Sequence, residues 1–121
     1  MGQVSSKLRR TVNGYSHWCP GCGEPHVIPD SWTFDGNLDQ PTFNPSVKIT
    51  GKKCVIDAQG NWTGEWVRDA SGNAVDDCCH YFLHAGVLKF CGDSLHLLAG
   101  KDVPLPDLPP HMQDSAINPT S

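Results

Sequence analysis

Cysteine and histidine are the residue types in this chain of 121 residues that are best suited to chemistry. Cys19 and Cys22 form a CxxC pair, with a glycine on either side of Cys22. Two thiolates at this spacing can both reach one tetrahedral ion, so the segment has the pattern of a zinc knuckle. One CxxC pair supplies only half of such a site, and we expect a second Cys/His pair to supply the rest. The predicted Zn²⁺ ligands are Cys19, Cys22, Cys79, His80 and His96.

The choice between the neighbouring residues Cys79 and His80 stays open. Their side chains point to opposite faces if the segment is a strand, so only one of them binds the ion unless a β-bulge changes the alternation. His26, three residues beyond Cys22, and Cys91 are further candidates. Four Cys and His ligands usually close the zinc shell, and in so small a core the binding free energy of the ion adds to the folding free energy. The sequence does not distinguish a structural zinc from a catalytic one.

Two other chemistries fit the cysteines less well. Residues 18–22 (Trp-Cys-Pro-Gly-Cys) resemble the thioredoxin active-site turn, but that chemistry needs a helix that starts at the first cysteine, and Pro25 and Pro29 follow too closely. A zinc deaminase needs a His-x-Glu motif, which the chain lacks. A hydrolytic zinc stays open if only three protein ligands bind and Asp93 or Glu24 handles the proton.

Composition limits the kind of domain that can position these residues. The 12 glycines and 10 prolines predict many turns and little long helix, and the length suits one modest core. Acidic residues outnumber basic ones by 13 to 9, with no basic block, which argues against nucleic acid as the main ligand. The chain has no signal peptide and no apolar run of about 18 residues, the length of a membrane span. We therefore expect reduced cysteines, no membrane partner and no secretion.

One β-hairpin stands out in the sequence. Residues 78–83 and 87–91 read as strands, and Ala85-Gly86 suits a two-residue turn between them. This turn pairs residue 80 with residue 91 and residue 81 with residue 90. The side chains predicted to face the core are those of Cys79, Tyr81, Leu83, Leu88 and Phe90.

Other short apolar segments, separated by proline and glycine, indicate further strands. Residues 58–77 are polar and glycine-rich and predict a long hairpin or loop insertion anchored by Trp62 and Trp66, whereas residues 93–100 suit a single helical turn. We predict a mainly β protein, a small single-domain, zinc-stapled antiparallel fold with short helical turns. Its parts are an N-terminal arm or edge strand (1–13), a zinc-binding β domain (14–110) and a disordered tail (111–121).

Five motifs follow one another along the chain. They are Trp-Cys-Pro-Gly-Cys-Gly (18–23), Trp-Thr-Phe-Asp-Gly (32–36), Pro-Thr-Phe-Asn-Pro-Ser (41–46), Cys-His-Tyr-Phe (79–82) and Phe-x-x-Asp-Ser-x-His-x-Leu-Ala-Gly (90–100). In this order they resemble a family of small, functionally uncharacterised proteins encoded by bacteriophages and prophages, over about residues 7–109. Some members carry an ammonia monooxygenase label, which this chain does not support because it has no copper-type histidine array. The family often has cysteine at the position of Ser94. The resemblance implies a phage-encoded, zinc-binding, β-rich protein of the host cytoplasm.

Two functions are compatible with these observations. The first is a non-enzymatic binding module whose loops contact a host or phage protein, so that it inhibits or modulates a host protein such as a defence component. The acidic charge, the small size, the closed ligand set and the long polar loop favour this function, and no catalytic residue is predicted for it. The alternative is a small zinc-dependent hydrolase with Asp93 as its base. The sequence leaves the oligomeric state and the identity of the partner open.

Overall fold

The computed structural model describes residues 2–114, and within them the chain forms ten β-strands and one 3₁₀ turn. Most strands are short because prolines and glycines interrupt the chain every few residues. The elements are β1 (Arg9–Arg10), β2 (Gly14–Cys19), β3 (Glu24–Pro29), β4 (Thr33–Phe34), β5 (Phe43–Lys52), β6 (Cys54–Ile56), β7 (Trp62–Trp66), β8 (Asp76–His84), β9 (Val87–Phe90), β10 (Asp102–Pro104) and the 3₁₀ turn Pro110–Met112.

The strands form three antiparallel sheets. One sheet has the order β1-β2-β3, the second has the order β10-β9-β8-β5-β4, and the third is the hairpin β6-β7. Apolar side chains of the first two sheets meet in one core, to which Leu8 and Ile28 contribute from one side and Tyr81, Leu83 and Leu88 from the other. The prediction of a mainly β, antiparallel fold is confirmed.

The predicted hairpin is confirmed in its register and its turn. Tyr81 lies opposite Phe90, and the N–H of Cys91 donates to the carbonyl oxygen of His80 at 2.8 Å. Ala85 and Gly86 have φ angles of 48° and 76°, which fit the two central positions of a type I′ turn. The five side chains predicted to face the core, including those of Cys79 and Leu83, are all buried.

Residues 93–100 differ from the prediction, because they form successive turns rather than a helical turn. The N–H of Leu98 donates to Nδ1 of His96 at 3.2 Å, so a side chain has taken a donor that a helix would use. In the polar stretch 58–77, Trp62 and Trp66 lie on β7, and their rings pack together with centroids 4.9 Å apart.

The chain termini are held near the first sheet as far as the structure describes them. β1 of the predicted arm pairs with β2, and the Nε2 atom of His111 lies 2.9 Å from the carbonyl oxygen of Gln59. Arg9 forms an ion pair with Asp114. The rest of the predicted disordered tail, residues 115–121, lies outside the described residues. None of the described residues belongs to a helix with the length and apolarity that a membrane span requires.

Candidate functional site

Strand β8 carries chemically active side chains on both of its faces. Successive residues of a strand point to opposite sides, so neighbours on β8 belong to different surroundings. Cys79 faces the core and is 2% exposed, whereas the side chain of His80 faces outward and is 23% exposed. Each of these two residues is part of a separate cluster of polar side chains.

The inner cluster joins β8 to the first sheet. Cys19, at the end of β2, and Cys22, in the turn that follows, approach His26 on β3 and Cys79 on β8. One ligand atom from each of these four residues lies within 4.8 Å of the others, and the Sγ atoms of Cys19 and Cys79 are 3.8 Å apart. This cluster of three thiols and one imidazole could hold a metal ion.

The chemistry of the donor set fits a cation. Hydrogen bonds from the thiols of Cys22 and Cys79 lower the pKa of Cys19 to about 2, and the contact with Cys19 raises the pKa values of the other two thiols. Three thiols this close therefore do not ionise together unless a positive charge lies among them. Both ring nitrogens of His26 are buried and have no hydrogen-bond partner among the described residues. Buried polar atoms are normally satisfied, so these nitrogens are free to act as metal ligands.

Local sequence explains the shape of the knuckle. The N–H of Gly23 donates to the carbonyl oxygen of Cys19 at 2.9 Å, and Gly23 has a φ angle of +68°, which favours glycine. A Cβ atom at Gly21 would lie only 2.5 Å from the ring of His96. The two glycines thus let the turn close around the thiols and let His96 pack onto it.

The ring of His96 lies beside the inner cluster but is not one of its four grouped residues. It lines the same cavity as Cys22 and Cys79, and it packs edge-on against the ring of Phe90, with centroids 4.7 Å apart. Its Nε2 atom is buried with no hydrogen-bond partner among residues 2–114. The structure therefore offers His26 and His96 as two imidazoles next to three thiols.

The outer cluster is a line of hydrogen bonds across the five-stranded sheet. The Oγ atom of Ser46 on β5 lies 3.1 Å from Nε2 of His80 on β8. The Nδ1 atom of the same ring lies 3.0 Å and 3.2 Å from the two carboxylate oxygens of Asp93, which follows β9. A hydroxyl, an imidazole and a carboxylate in this order have the geometry of a Ser-His-Asp catalytic triad.

The backbone around Ser46 is irregular. The register of β5 against β8 shifts between Phe43 and Val47, so Ser46 lies in an irregular stretch of the ladder. The carbonyl oxygen of Ser46 accepts a hydrogen bond from Nε1 of Trp32 at 3.3 Å. These features fix the hydroxyl on the outer face of the sheet.

Ser94 holds the backbone of His80 in place. Its Oγ atom accepts the N–H of His80 at 3.0 Å and donates to the carbonyl oxygen of His80 at 3.0 Å. Because Ser94 follows Asp93 directly, these bonds also fix the carboxylate relative to the imidazole. The side chain of Ser94 is 5% exposed and is already occupied, so it does not compete with Ser46 as a nucleophile.

The charges around the outer cluster keep Asp93 ionised. The hydrogen bond from His80, and after it the contact with Lys48 at 3.2 Å, hold the pKa of Asp93 below its usual value. The Sγ atom of Cys91 also lies within 4.8 Å of the ligand atoms of His80 and Asp93. Burial, followed by the charge of Asp93, raises the pKa of Cys91, so this residue stays a neutral thiol.

The predicted ligands therefore separate into two groups. Cys19, Cys22 and Cys79 lie together, whereas His80 lies on the opposite face of β8 with Ser46 and Asp93. Sequence reasoning did not find Ser46 as a functional residue. Its only signal was its place at the end of the Pro-Thr-Phe-Asn-Pro-Ser motif, because no spacing rule relates a serine to a histidine 34 residues later.

Comparison with known proteins identifies the family. Residues 2–91 match the family model described as bacterial ubiquitination-like system serine protease (BubE). The chain belongs to the BubE family. No curated protein and no solved structure matches the chain.

Membership of the BubE family corrects the function expected from the sequence. The expectation of a non-enzymatic, phage-encoded binding module that inhibits a host defence protein is wrong, because the family is one of serine proteases of a bacterial system. The viral and host–virus character inferred with it is corrected for the same reason. The zinc hydrolase with Asp93 as its base does not match the geometry either, because Asp93 contacts His80 and Lys48 rather than the thiols. The family match gives no support for the phage origin implied by the motif resemblance.

Proposed function

We propose that this protein is a serine peptidase of a bacterial ubiquitination-like system. Ser46 is the nucleophile, His80 is the general base, and Asp93 orients the imidazole. The observation that carries the proposal is the continuous hydrogen-bond line from Ser46 through His80 to Asp93. The description of the BubE family as serine proteases supports it independently.

The geometry supports the usual two-step acyl transfer. The Oγ atom of Ser46 attacks the scissile carbonyl carbon while Nε2 of His80 takes the hydroxyl proton. His80 then gives this proton to the leaving amine as the C–N bond breaks and the acyl-enzyme forms. In the second step a water molecule attacks the ester, His80 takes its proton, and the proton returns to Ser46 as the acid product leaves. Asp93 accepts the Nδ1–H throughout and stabilises the imidazolium.

The remaining polar side chains support Ser46 rather than another nucleophile. Ser94 uses its hydroxyl on the backbone of His80, and Cys91 is a neutral thiol beside a carboxylate. Among residues 2–114, only Ser46 places its oxygen on the ring nitrogen opposite the one that faces Asp93. This is the position that a triad nucleophile needs.

We also propose that the inner cluster binds one structural Zn²⁺ through Cys19, Cys22, Cys79 and His26. Three thiolates and one imidazole make a closed tetrahedral set with no position left for a water molecule. The zinc then stabilises the fold and takes no part in peptide hydrolysis. The unpartnered nitrogens of His26 and the crowding of the three thiols support this assignment.

The proposed substrate is a protein of the ubiquitination-like system named in the family description. All six cysteines are free thiols in the structure, and thiols that bind zinc need a reducing compartment. We therefore place the protein in the bacterial cytoplasm.

The decisive experiment is labelling with a fluorophosphonate, which reacts with activated serine hydroxyls. We expect wild-type protein to take up one label, located on Ser46 by peptide mass mapping, and Ser46→Ala to take up none. Ser71→Ala, at an exposed loop position, is the matched control and should label like the wild type. Undiminished labelling of Ser46→Ala would overturn the proposal. Elemental mass spectrometry of untagged protein tests the zinc assignment, for which we expect about one zinc per chain.

A further inference from the structure

Strand β5 has different neighbours on its two edges. On one edge it pairs with β8 from Val47 to Lys52. On the other edge it pairs with β4 only at Phe43 and Asn44. Within residues 2–114, no strand pairs with this second edge after Ser46. Edge strands present unpaired N–H and C=O groups to their surroundings, so this stretch is open to another chain.

The hydrogen bonds of the His80 backbone show which N–H and C=O groups of β5 point to its open edge. Its N–H donates to Ser94 and its carbonyl accepts from Cys91, so both groups point away from β5. Lys48, which lies opposite His80, is therefore in a non-hydrogen-bonded pair, and its own N–H and C=O point to the open edge. The same holds for Thr50, two residues further along the strand. No hydrogen bond within residues 2–114 uses the backbone groups of either residue.

The space beside this edge is free. The side chain of Lys48 is 52% exposed, and a Cβ atom built on Gly51 would meet no atom within 4 Å. Residues 48–52 of β5 are all exposed, and Ile49, Thr50 and Gly51 lie at the rim of the cavity of about 340 Å³ that Cys22, Cys79 and His96 also line. The exposed stretch of β5 from Lys48 onward is therefore open to an extended peptide.

The nucleophile lies next to the open edge. The hydrogen bonds of the proposed triad run from Asp93, beyond β9, through His80 on β8 to Ser46 on β5. Ser46 is thus the member of the triad closest to the unpaired side of the sheet. The first free backbone groups on that side, those of Lys48, come only two residues after it.

We infer that an extended, unfolded segment of the substrate protein binds as an added β-strand along the open edge of β5, with its main chain bonded to the N–H and C=O groups of Lys48 and Thr50. This inference rests on the proposed peptidase function and deepens it. Strand addition recognises the main chain and tolerates many side chains. The peptidase therefore selects a flexible segment rather than a folded surface, and the added strand brings its scissile carbonyl to Ser46.

The test is a scan of single N-methylations along a short linear peptide that the wild-type protein cleaves, selected from a tryptic digest of a bacterial proteome. N-methylation removes one backbone donor at a time. Because alternate residues of a strand face the same neighbour, we expect kcat/KM to fall about five- to tenfold at every second amide on one side of the scissile bond and little in between. Equal effects at consecutive amides, or no effect, would overturn the inference.

A substitution in β5 tests whether this strand is the one that binds the peptide. Thr50→Pro removes the N–H that points to the open edge, and proline is tolerated on such edges. We expect this substitution to lower kcat/KM about five- to tenfold for the unmethylated peptide. Its effect should be non-additive with methylation of the peptide amide next to the carbonyl that loses the bond from Thr50. Strict additivity at every position would place the peptide elsewhere. If Thr50→Pro does not fold, the methylation scan on the wild-type protein still decides.

Fluorophosphonate labelling of the wild-type protein separates the two proposals. Failure of Ser46 to react with the fluorophosphonate would overturn the proposed peptidase function. Reaction of Ser46 together with cleavage of no linear peptide would leave the triad in place and overturn strand addition.

Discussion

The two faces of β8 place neighbouring residues in opposite physical conditions. On the inner face, Cys79 is buried in a cluster of three thiols and one imidazole that could hold a metal ion. On the outer face, His80 is partly exposed between a hydroxyl and a carboxylate that are accessible to another molecule. Strand alternation thus separates a proposed zinc ligand from the proposed general base, and a single peptide bond connects them.

The difference between the faces gives a simple expectation for mutations. Changes on the inner face should lower stability first and activity as a consequence, because the binding free energy of the proposed zinc adds to the folding free energy. Changes on the outer face should lower activity while the fold survives, since exposed polar groups contribute little to stability.

The largest effect is expected when Cys79 is changed to serine. The hydroxyl is a poor zinc ligand, so we expect loss of the bound zinc and a free energy of unfolding at least about 3 kcal/mol lower. Elemental analysis and urea denaturation measure both quantities. Cys54→Ser is the matched control, because Cys54 lies outside the cluster and should change stability by less than about 0.5 kcal/mol. Full zinc content in Cys79→Ser would show that the inner face does not depend on this thiol.

The second-largest effect is expected for a substitution on the outer face of β8. Asp93→Asn keeps the size of the side chain but removes the acceptor that fixes the tautomer of His80, so kcat/KM should fall about 10⁴-fold with little change in melting temperature. Peptide hydrolysis and thermal unfolding are the measurements. Asp102→Asn removes a surface carboxylate that pairs with Lys89 and should leave kcat/KM unchanged. A comparable loss in both variants would mean that surface charge, not the triad, is responsible.

The third-largest effect is expected for Ser94, whose hydroxyl is bonded to the backbone of His80. Ser94→Ala removes the acceptor of the His80 N–H, which should lower the free energy of unfolding by about 1–2 kcal/mol and kcat by about ten- to a hundredfold, with KM nearly unchanged. Ser94→Thr keeps the hydroxyl and should recover part of kcat. Equal losses in the two variants would argue that packing at this position, rather than the hydrogen bonds, matters.

The smallest effect is expected for the pKa of the Asp93 carboxyl group. A carboxyl whose folded pKa is depressed stabilises the fold above its unfolded pKa of about 3.9, and this contribution is lost as the pH falls through the folded value. Lys48→Met removes the second cause of the depression and leaves the first, the bond from His80. We expect the pKa of Asp93 to rise but to stay below normal, as followed by carbon NMR of the carboxyl group. Lys52→Met is the control, because Lys52 pairs with Asp76 and should leave Asp93 unchanged.

Much of the fold follows from local patterns. The Ala85-Gly86 turn fixes the register of β8 and β9, and alternation then places Tyr81 and Leu83 in the core. The CxxC spacing likewise identifies Cys19 and Cys22 as neighbours. These features depend on residues that are close in sequence, so single-sequence reasoning reaches them.

The outer cluster could not be reached in this way. Ser46 and His80 meet only because β5 pairs with β8, in a ladder whose register shifts between Phe43 and Val47. The pairing of these two strands has no signal in the sequence. From the sequence His26 is likewise only a further candidate ligand, because its approach to Cys79 depends on how the two sheets pack.

The pairing of β5 with β8 also sets the moment at which activity can arise during folding. Val47 lies opposite Tyr81, so this contact closes a long loop and forms slowly compared with the hairpin of β8 and β9. A growing chain that has not yet reached His80 carries the nucleophile without its base. The proposed peptidase therefore acquires its reactivity late in folding, when its own sheet is already assembled.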